Sequence, residues 1–363
     1  MDHLRIAVTC GALIGLSGTS CKASSASSAT PTGESAAVSP SPAHVPINGA
    51  GSTFVYPLMS RWSSEYQKLM PAVEVNYQSI GSGGGIRQLV ARTVQFGATD
   101  GPMTDDQLKE AKSPVLHIPL VMGAVVPTYN LPSLPHAIRF TPEALAGIFL
   151  GEIQNWSDPK VASANSDMKL PATPIVVVHR SDGSGTTYVW VDYLAKVSPA
   201  WKTKVGTATS VNWPTGIGGK GNEGVAGSVR QTPGAIGYVE LTYALQNKMS
   251  VGPIQNQAGH FIEPSIAAVT AAASGALAAI PDDLRYSITN APGDQAWPVS
   301  GTTWAVLYQD MPAGPERTAV VGFLRWALHE GQNYCEALDY ASLPSELVQR
   351  ATAKLDLVEP AGK

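Results

Sequence analysis

The run Arg180-Ser181-Asp182-Gly183-Ser184-Gly185-Thr186 constrains this chain more than any other stretch. It follows an apolar, strand-like run at 175–178. It leads into a helical pattern marked by Tyr188, Val191 and Leu194. A strand, a Gly/Ser turn and a helix start bring backbone N–H groups, two hydroxyls and a guanidinium to one point. The N–H groups of a first helical turn are unpaired and sit at the positive end of the helix dipole, so they favour an anion. Arginine adds a planar fork suited to a tetrahedral oxyanion. The simplest ligand for such a corner is a phosphate or a similar anion.

Two more Gly/Ser/Thr-rich turns share this design. Gly49-Ala50-Gly51-Ser52-Thr53-Phe54 precedes a helical spacing of Val55, Leu58, Met59, Trp62, Tyr66 and Leu69. Thr53 is the expected N-cap of that helix. Val73, Val75 and Tyr77 alternate as in a strand, and Ser82 with Gly83, Gly84 and Gly85 then opens a further helical face. A short strand at 95–99 ends at Asp100. Further strands are expected at 116–120, 123–129, 234–241 and 302–308. Helices are expected at 145–149, 267–280, 317–329 and 345–355. Alternating strands and helices predict an α/β chain with mostly parallel sheets. In open α/β sheets, loops at the carboxyl ends of the strands line a ligand crevice.

Each element also has a plainer reading. A serine or threonine before a helix is usually a cap, a glycine cluster a turn, and an aspartate at a strand end a turn former. Their joint occurrence is what points to a site. Gly216-Ile217-Gly218-Gly219-Lys220-Gly221 fits G-x-G-x-x-G, and Glu240 lies downstream of it. Trp213-Pro214-Thr215 precedes that run rather than an apolar strand, and no clean helix start follows, so a surface or lid loop is expected rather than a dinucleotide site. No histidine pair has metal-ligand spacing, and no cofactor is expected. His179 is expected to be structural.

The chain has 363 residues and a formal net charge of -4. That length allows two domains. The charge argues against a broad basic face for nucleic acid. The amino-terminal region differs from the rest. Arg5 precedes an apolar stretch at 6–16 and then Ser17-Gly18-Thr19-Ser20-Cys21. This reads as a secretory signal peptide over residues 1–21. A cysteine just after the apolar region resembles a bacterial lipoprotein cleavage site, although Gly18 stands where that pattern has leucine. Lipidation at Cys21 is expected, and a plain cleaved signal is the alternative. Residues 22–47, rich in Ser, Ala and Pro, are expected to form a flexible tether. With Cys10 removed and Cys21 lipidated, Cys335 is left with a bland core role.

Taken together, these residues resemble the periplasmic phosphate-binding proteins of bacterial phosphate ABC transporters, the PstS family. The likeness runs over about 47–355. It is carried by Gly49-Ala-Gly-Ser-Thr-Phe54, Ile80-Gly-Ser-Gly-Gly-Gly85, Phe96-Gly-Ala-Thr-Asp100 and Asp182-Gly-Ser-Gly-Thr186. Trp213-Pro-Thr-Gly-Ile-Gly-Gly-Lys-Gly-Asn222, Pro233-Gly-Ala-Ile-Gly-Tyr-Val-Glu240 and Leu338-Asp-Tyr-Ala-Ser-Leu-Pro344 add to it. The resemblance implies a two-domain periplasmic-binding-protein fold of type II, with a ligand cleft between the domains and two hinge crossovers. Residues 48–123 and 298–363 would form domain I, and 124–297 domain II. Phosphate contacts would fall on Thr53, Phe54 through its backbone, Ser82, Asp100, Arg180, Ser184, Gly185 through its backbone, and Thr186. Asp182 would pair with Arg180. The function implied is capture of inorganic phosphate outside the cytoplasm and delivery to the permease and ATPase subunits of a transporter, without catalysis. A monomer is expected, in the periplasm or at the cell surface. The alternatives are a binder or sensor of another oxyanion, and a secreted phosphohydrolase. The phosphohydrolase would need a nucleophile with a base or a metal site, and the spacing of residues offers neither.

Overall fold

The computed structural model describes residues 44–131 and 134–358. The expected signal peptide with Cys10 and Cys21, and all of the expected tether but residues 44–47, lie outside the described residues. Strand β1 (Val45–Gly51) begins inside the stretch expected as tether. It is followed by α1 (Tyr56–Leu69), β2 (Val73–Ser79), α2 (Ser82–Val90), β3 (Phe96–Thr99), α3 (Asp105–Ala111) and β4 (Val115–Tyr129). Then come α4 (Pro142–Phe149), α5 (Pro159–Ala162), β5 (Val176–Arg180), α6 (Gly185–Val197), α7 (Pro199–Lys204), β6 (Ile217–Gly219), α8 (Gly221–Gln231), β7 (Ala235–Glu240) and α9 (Leu241–Gln246). Short strands β8 (Ser250–Val251), β9 (Ile254–Gln255) and β10 (Phe261–Ile262) precede α10 (Ile266–Ala276), β11 (Ser300–Tyr308), α11 (Pro315–Leu328) and α12 (Ser345–Leu355).

The main sheet runs β2-β1-β3-β11-β4-β7-β5-β6. Its two flanks are parallel: β1 pairs with β2 and β3, and β5 pairs with β6 and β7. Its centre is antiparallel, because β11 pairs with β3 and β4, and β4 with β7. The expectation of mostly parallel sheets therefore holds only at the flanks. The chain returns through the middle, and a returning strand beside its neighbour runs the other way.

Strand β4 replaces the two strands expected at 116–120 and 123–129. Gly123, expected to begin the second of them, lies inside the single strand and is a point of close approach. A Cβ there would come within 2.8 Å of the Phe54 ring. Pro119 is tolerated because the register slips beside it: Trp304 faces Pro119 and Thr303 faces Val121, so Leu120 bulges. From Val115 to Ala124 this strand pairs with β11, and from Val125 to Tyr129 with β7.

Packing, more than capping, decides where α1 forms. The helix buries Leu58, Met59, Trp62 and Tyr66, the spacing read from the sequence, but Val55 is its N-cap and makes no side-chain bond. Thr53 does not cap it. Burying one large apolar side chain contributes about 1.5–3 kcal/mol, whereas a side-chain cap contributes about 1 kcal/mol, so the apolar face wins. The largest buried side chains include Trp62, Trp156, Trp190, Trp201, Trp297 and Trp304. Cys335 is buried too, and burial pushes its thiol up to about 12, which makes it an inert core side chain. Residues 280–286 lie in the part expected as domain II, yet they bond to the other part. Trp304 Nε1 donates to the Leu284 carbonyl at 2.8 Å, and Arg350 Nη2 donates to that of Ile280 at 2.9 Å. No helix of the described residues is long and apolar enough to cross a membrane.

Candidate functional site

Strands β1 and β3 run parallel, so their carboxyl ends lie side by side. Beyond β1, the Ser52 N–H donates to the Ala98 carbonyl at 2.9 Å and holds the Ser52-Thr53-Phe54 turn against β3. Gly51 makes this approach with a φ of +141°, and a Cβ there would lie 2.1 Å from the Ala98 carbonyl oxygen. Asp100 follows β3 and is 2% exposed. Its Oδ1 accepts from Ser52 Oγ at 2.5 Å and from Thr303 Oγ1 at 2.7 Å. Ser82, the first residue of α2, donates to its Oδ2 at 3.4 Å. Burial raises the Asp100 carboxyl from 3.8 to about 6, against the pull of Ser52, Thr303, Arg180 and Ser82.

The facing wall is built from β5 and α6. Arg180 ends β5 and is 3% exposed. Its Nε and Nη2 donate to Asp182 at 2.8 and 2.5 Å, a two-pronged pair that holds the guanidinium flat. Nη1 lies 3.4 Å from Thr186 Oγ1. Burial alone would raise the Asp182 carboxyl, but the hydrogen bonds and charge of Arg180 hold it below the usual carboxylate range. Ser184 caps α6 by accepting from the Thr187 N–H at 2.9 Å. A hydroxyl that accepts still has its proton to donate. Gly185 is pressed against the other wall: a Cβ on it would lie 2.4 Å from both Asp100 Oδ2 and Ser82 Oγ. The Gly83 N–H donates to the Gly183 carbonyl at 2.9 Å beside it.

The eight residues expected to contact phosphate therefore come together. All are buried, and they come from elements far apart in the chain. The N–H groups of Thr53, Gly185 and Thr186 have no acceptor among the described residues. Phe54 differs, because its N–H donates to Ser52 Oγ at 3.0 Å. His179 stands apart. It stacks on Trp213 with ring centroids 4.8 Å apart, as a structural side chain would.

Asn222 escaped the sequence reading. Its Nδ2 donates to Thr53 Oγ1 at 2.7 Å and to Thr186 Oγ1 at 3.1 Å, tying the two walls together. Its Oδ1 accepts from the Glu240 N–H at 2.9 Å. The 216–221 run, expected as a surface or lid loop without a helix start, instead contains β6 and leads into α8. Asn222 lies in the first turn of that helix. The missed signal was the spacing of Val225, Ala226 and Val229, which α8 buries. With it, the run shows the strand, Gly turn and helix of the other corners. Ser52 and Thr303 were also missed as partners of Asp100.

The arrangement gathers hydroxyls, N–H groups and one guanidinium around a single acceptor carboxylate. Chemically it can hold an oxyanion that still carries a proton. Among the described residues, no group of three or more His, Cys, Asp or Glu side chains could hold a metal ion.

Comparison with known proteins agrees with this fold. The family described as the PBP superfamily domain matches residues 24–330. A phosphate-binding protein PstS of Xylella fastidiosa (strain 9a5c) is 47% identical over 310 residues, covering 85% of this chain and 84% of that protein. The phosphate-binding protein PstS of Pasteurella multocida is 44% identical over 309 residues, covering 85% and 89%. Among solved structures, a phosphate-binding protein from Stenotrophomonas maltophilia aligns with a TM-score of 0.67 at 20% identity, over 85% of this chain and 94% of that one. At that identity the structural likeness speaks for the fold alone, a two-domain periplasmic-binding-protein architecture. The sequence likeness goes further, and on it this chain belongs to the PstS family of phosphate-binding proteins within the PBP superfamily.

Proposed function

We propose that this protein captures inorganic phosphate outside the cytoplasm for import by an ABC transporter. One observation carries the choice of ligand: the Asp100 carboxylate is buried in a site otherwise made of donors. Such a group is costly beside an anion unless the anion brings a proton. Hydrogen phosphate brings one. The contacts assigned to it are Thr53, Ser82, Asp100, Arg180, Ser184 and Thr186, with the backbones of Phe54 and Gly185, and Asp182 holds Arg180.

The protein acts by binding and closure, not by turnover, in line with relatives that are named as binding proteins. Two lobes move about β4 and a second crossover, one formed by 48–123 with 298–363 and the other by 124–297. The change of partner within β4 after Ala124, from β11 to β7, supports the first boundary. Residues 280–286 travel with the first lobe, because Trp304 and Arg350 hold them. Calorimetric titration of the phosphate-stripped protein with inorganic phosphate tests this reading, with small-angle scattering on the same samples. Saturable binding and compaction are expected. Heat changes no larger than those of buffer, or equal binding of sulfate, would overturn the choice of ligand.

The expected partners are the permease and ATPase subunits of the transporter, and the protein reaches them as a monomer tethered through a lipid on Cys21. The apolar 6–16 stretch before Cys21 and the Ser/Ala/Pro-rich residues after it motivate the anchor. Mass spectrometry of the mature amino terminus is expected to show a diacylglyceryl-modified Cys21. An unmodified start beyond Cys21 would rule the anchor out.

A further inference from the structure

Three tyrosines converge on one tripeptide of the cleft. The hydroxyl of Tyr77 donates to the Ser52 carbonyl at 2.8 Å. That of Tyr243 donates to the Thr53 carbonyl at 2.6 Å, and that of Tyr340 to the Phe54 carbonyl at 2.6 Å. The donors lie 25, 190 and 286 residues from their acceptors, on β2, on α9 and in the turn before α12. Local chain geometry does not explain three hydroxyls on three successive carbonyls.

Peptide geometry gives the arrangement a consequence. In a trans peptide the carbonyl and the following N–H point in opposite directions. Holding the carbonyls of residues 52, 53 and 54 therefore sets the N–H groups of residues 53, 54 and 55. Two of these reach Ser52 Oγ, Phe54 at 3.0 Å and Val55 at 3.4 Å, and that oxygen in turn donates to Asp100. The third, on Thr53, has no acceptor among the described residues. Freed from its tyrosine, any of the three peptides could rotate and turn its carbonyl dipole toward a dianion.

We propose that Tyr77, Tyr243 and Tyr340 are positioning residues that preset the N–H groups of Thr53 and Phe54 for the anion and that of Val55 for Ser52 Oγ. The proposal rests on the reading of this cleft as a phosphate site. All three hydroxyls are raised by burial, so they stay protonated donors across the physiological range. Tyr243 lies in the 124–297 part and Thr53 in the other, so its bond also crosses between the walls, beside that of Asn222 to Thr53.

The test uses Tyr77→Phe, Tyr243→Phe and Tyr340→Phe, which keep each ring and remove its hydroxyl. In Tyr340→Phe the 3.3 Å contact with Glu240 Oε2 goes as well, so Tyr77→Phe and Tyr243→Phe carry the decision. Each is expected to weaken the binding of inorganic phosphate about fivefold, the effect of one lost neutral hydrogen bond. Amide NMR separates positioning from packing. On adding phosphate, the amide signals of Thr53 and Phe54 shift in the wild type. The Phe54 shift is expected to shrink in Tyr243→Phe while those of Gly185 and Thr186 persist. Wild-type affinity and wild-type shifts in all three variants, with only a lower melting temperature, would overturn the proposal. Should the variants fail to fold, 3-fluorotyrosine labelling of the whole protein replaces them. It keeps the rings and strengthens the donors, so under positioning the phosphate-induced shifts of the Thr53 and Phe54 amides change relative to those of Gly185 and Thr186, and under passive packing they keep the wild-type ratio. A wild type that does not bind phosphate defeats the functional reading and this proposal together. A wild type that binds alongside unaffected variants defeats this proposal alone.

Discussion

Arg180→Ala is expected to weaken phosphate binding about a hundredfold or more while the protein still folds. The guanidinium is buried, and it is the one cation among the proposed contacts. Two of its nitrogens are committed to Asp182, which leaves Nη1 turned toward Thr186 and the cleft. Without it, N–H groups and hydroxyls alone would face a dianion that has left water. Removing one partner of a buried, hydrogen-bonded charge pair costs about 2–5 kcal/mol of binding, and each 1.4 kcal/mol is tenfold in affinity. The loss has two further sources. Arg180 helps to hold both the Asp100 and the Asp182 carboxyls down. Its removal leaves Asp182 with the Gly221 N–H at 3.0 Å as a remaining partner. Arg180→Ala combined with Asp182→Asn removes that stranded charge and separates the two contributions. Calorimetry on the stripped variants decides the matter. Binding within about threefold of wild type, a difference below about 1 kcal/mol, would remove Arg180 from the site.

What could be read from the chain beforehand was the part of the site built by local structure. Arg180 to Thr186 and Ser82 lie at strand ends or helix starts, where a few neighbouring residues decide the backbone and the N–H groups follow from it. Asp100 was legible for the same reason, as the residue closing a short strand. The remainder depends on reach across the fold. Thr303 meets Asp100 over 203 residues of chain, and Asn222 meets Thr53 over 169. No spacing rule carries information over such distances. The central strands were misread for a related reason. Gly123 has the same local signature whether it begins a strand or lies within one and makes room for Phe54, and only the packed structure distinguishes the two. Thr53 was read as a cap because a cap is the usual duty of a threonine before a helix. Its hydroxyl instead accepts from Asn222, and the helix is held by its buried face.

Asp100→Asn is expected to change which anion the protein prefers more than how tightly it holds phosphate. In the wild type the carboxylate accepts from Ser52, Thr303 and Ser82, and it has lone pairs left for a ligand proton. Hydrogen phosphate supplies that proton. Sulfate at neutral pH has none, so its oxygens meet carboxylate lone pairs, and a contact of that kind costs several kcal/mol. Asparagine keeps the shape, removes the charge and adds an N–H donor. Phosphate still binds, because the amide can pair with either its O–H or a bare oxygen, while sulfate gains. The ratio of the sulfate to the phosphate dissociation constant is therefore expected to fall by tenfold or more in the variant.

A pH series sharpens the test. Burial lifts the carboxyl from 3.8 to about 6, so the folded, ligand-free protein holds this proton more tightly than the unfolded chain does. The stability contributed by this group is fully present below about pH 4 and is lost as the pH rises through about 6. The same protonation turns Asp100 into a donor. Sulfate affinity of the wild type is then expected to climb as the pH falls from 8 to 5, and that climb is expected to be absent in Asp100→Asn. Between the two proteins, the ratio at pH 8 isolates the charge, and its change toward pH 5 isolates the proton. A ratio that stays at the wild-type value in the variant at pH 8 would mean that selectivity is set elsewhere, with Asp100 serving only to anchor Ser52 and Thr303 at the end of β3.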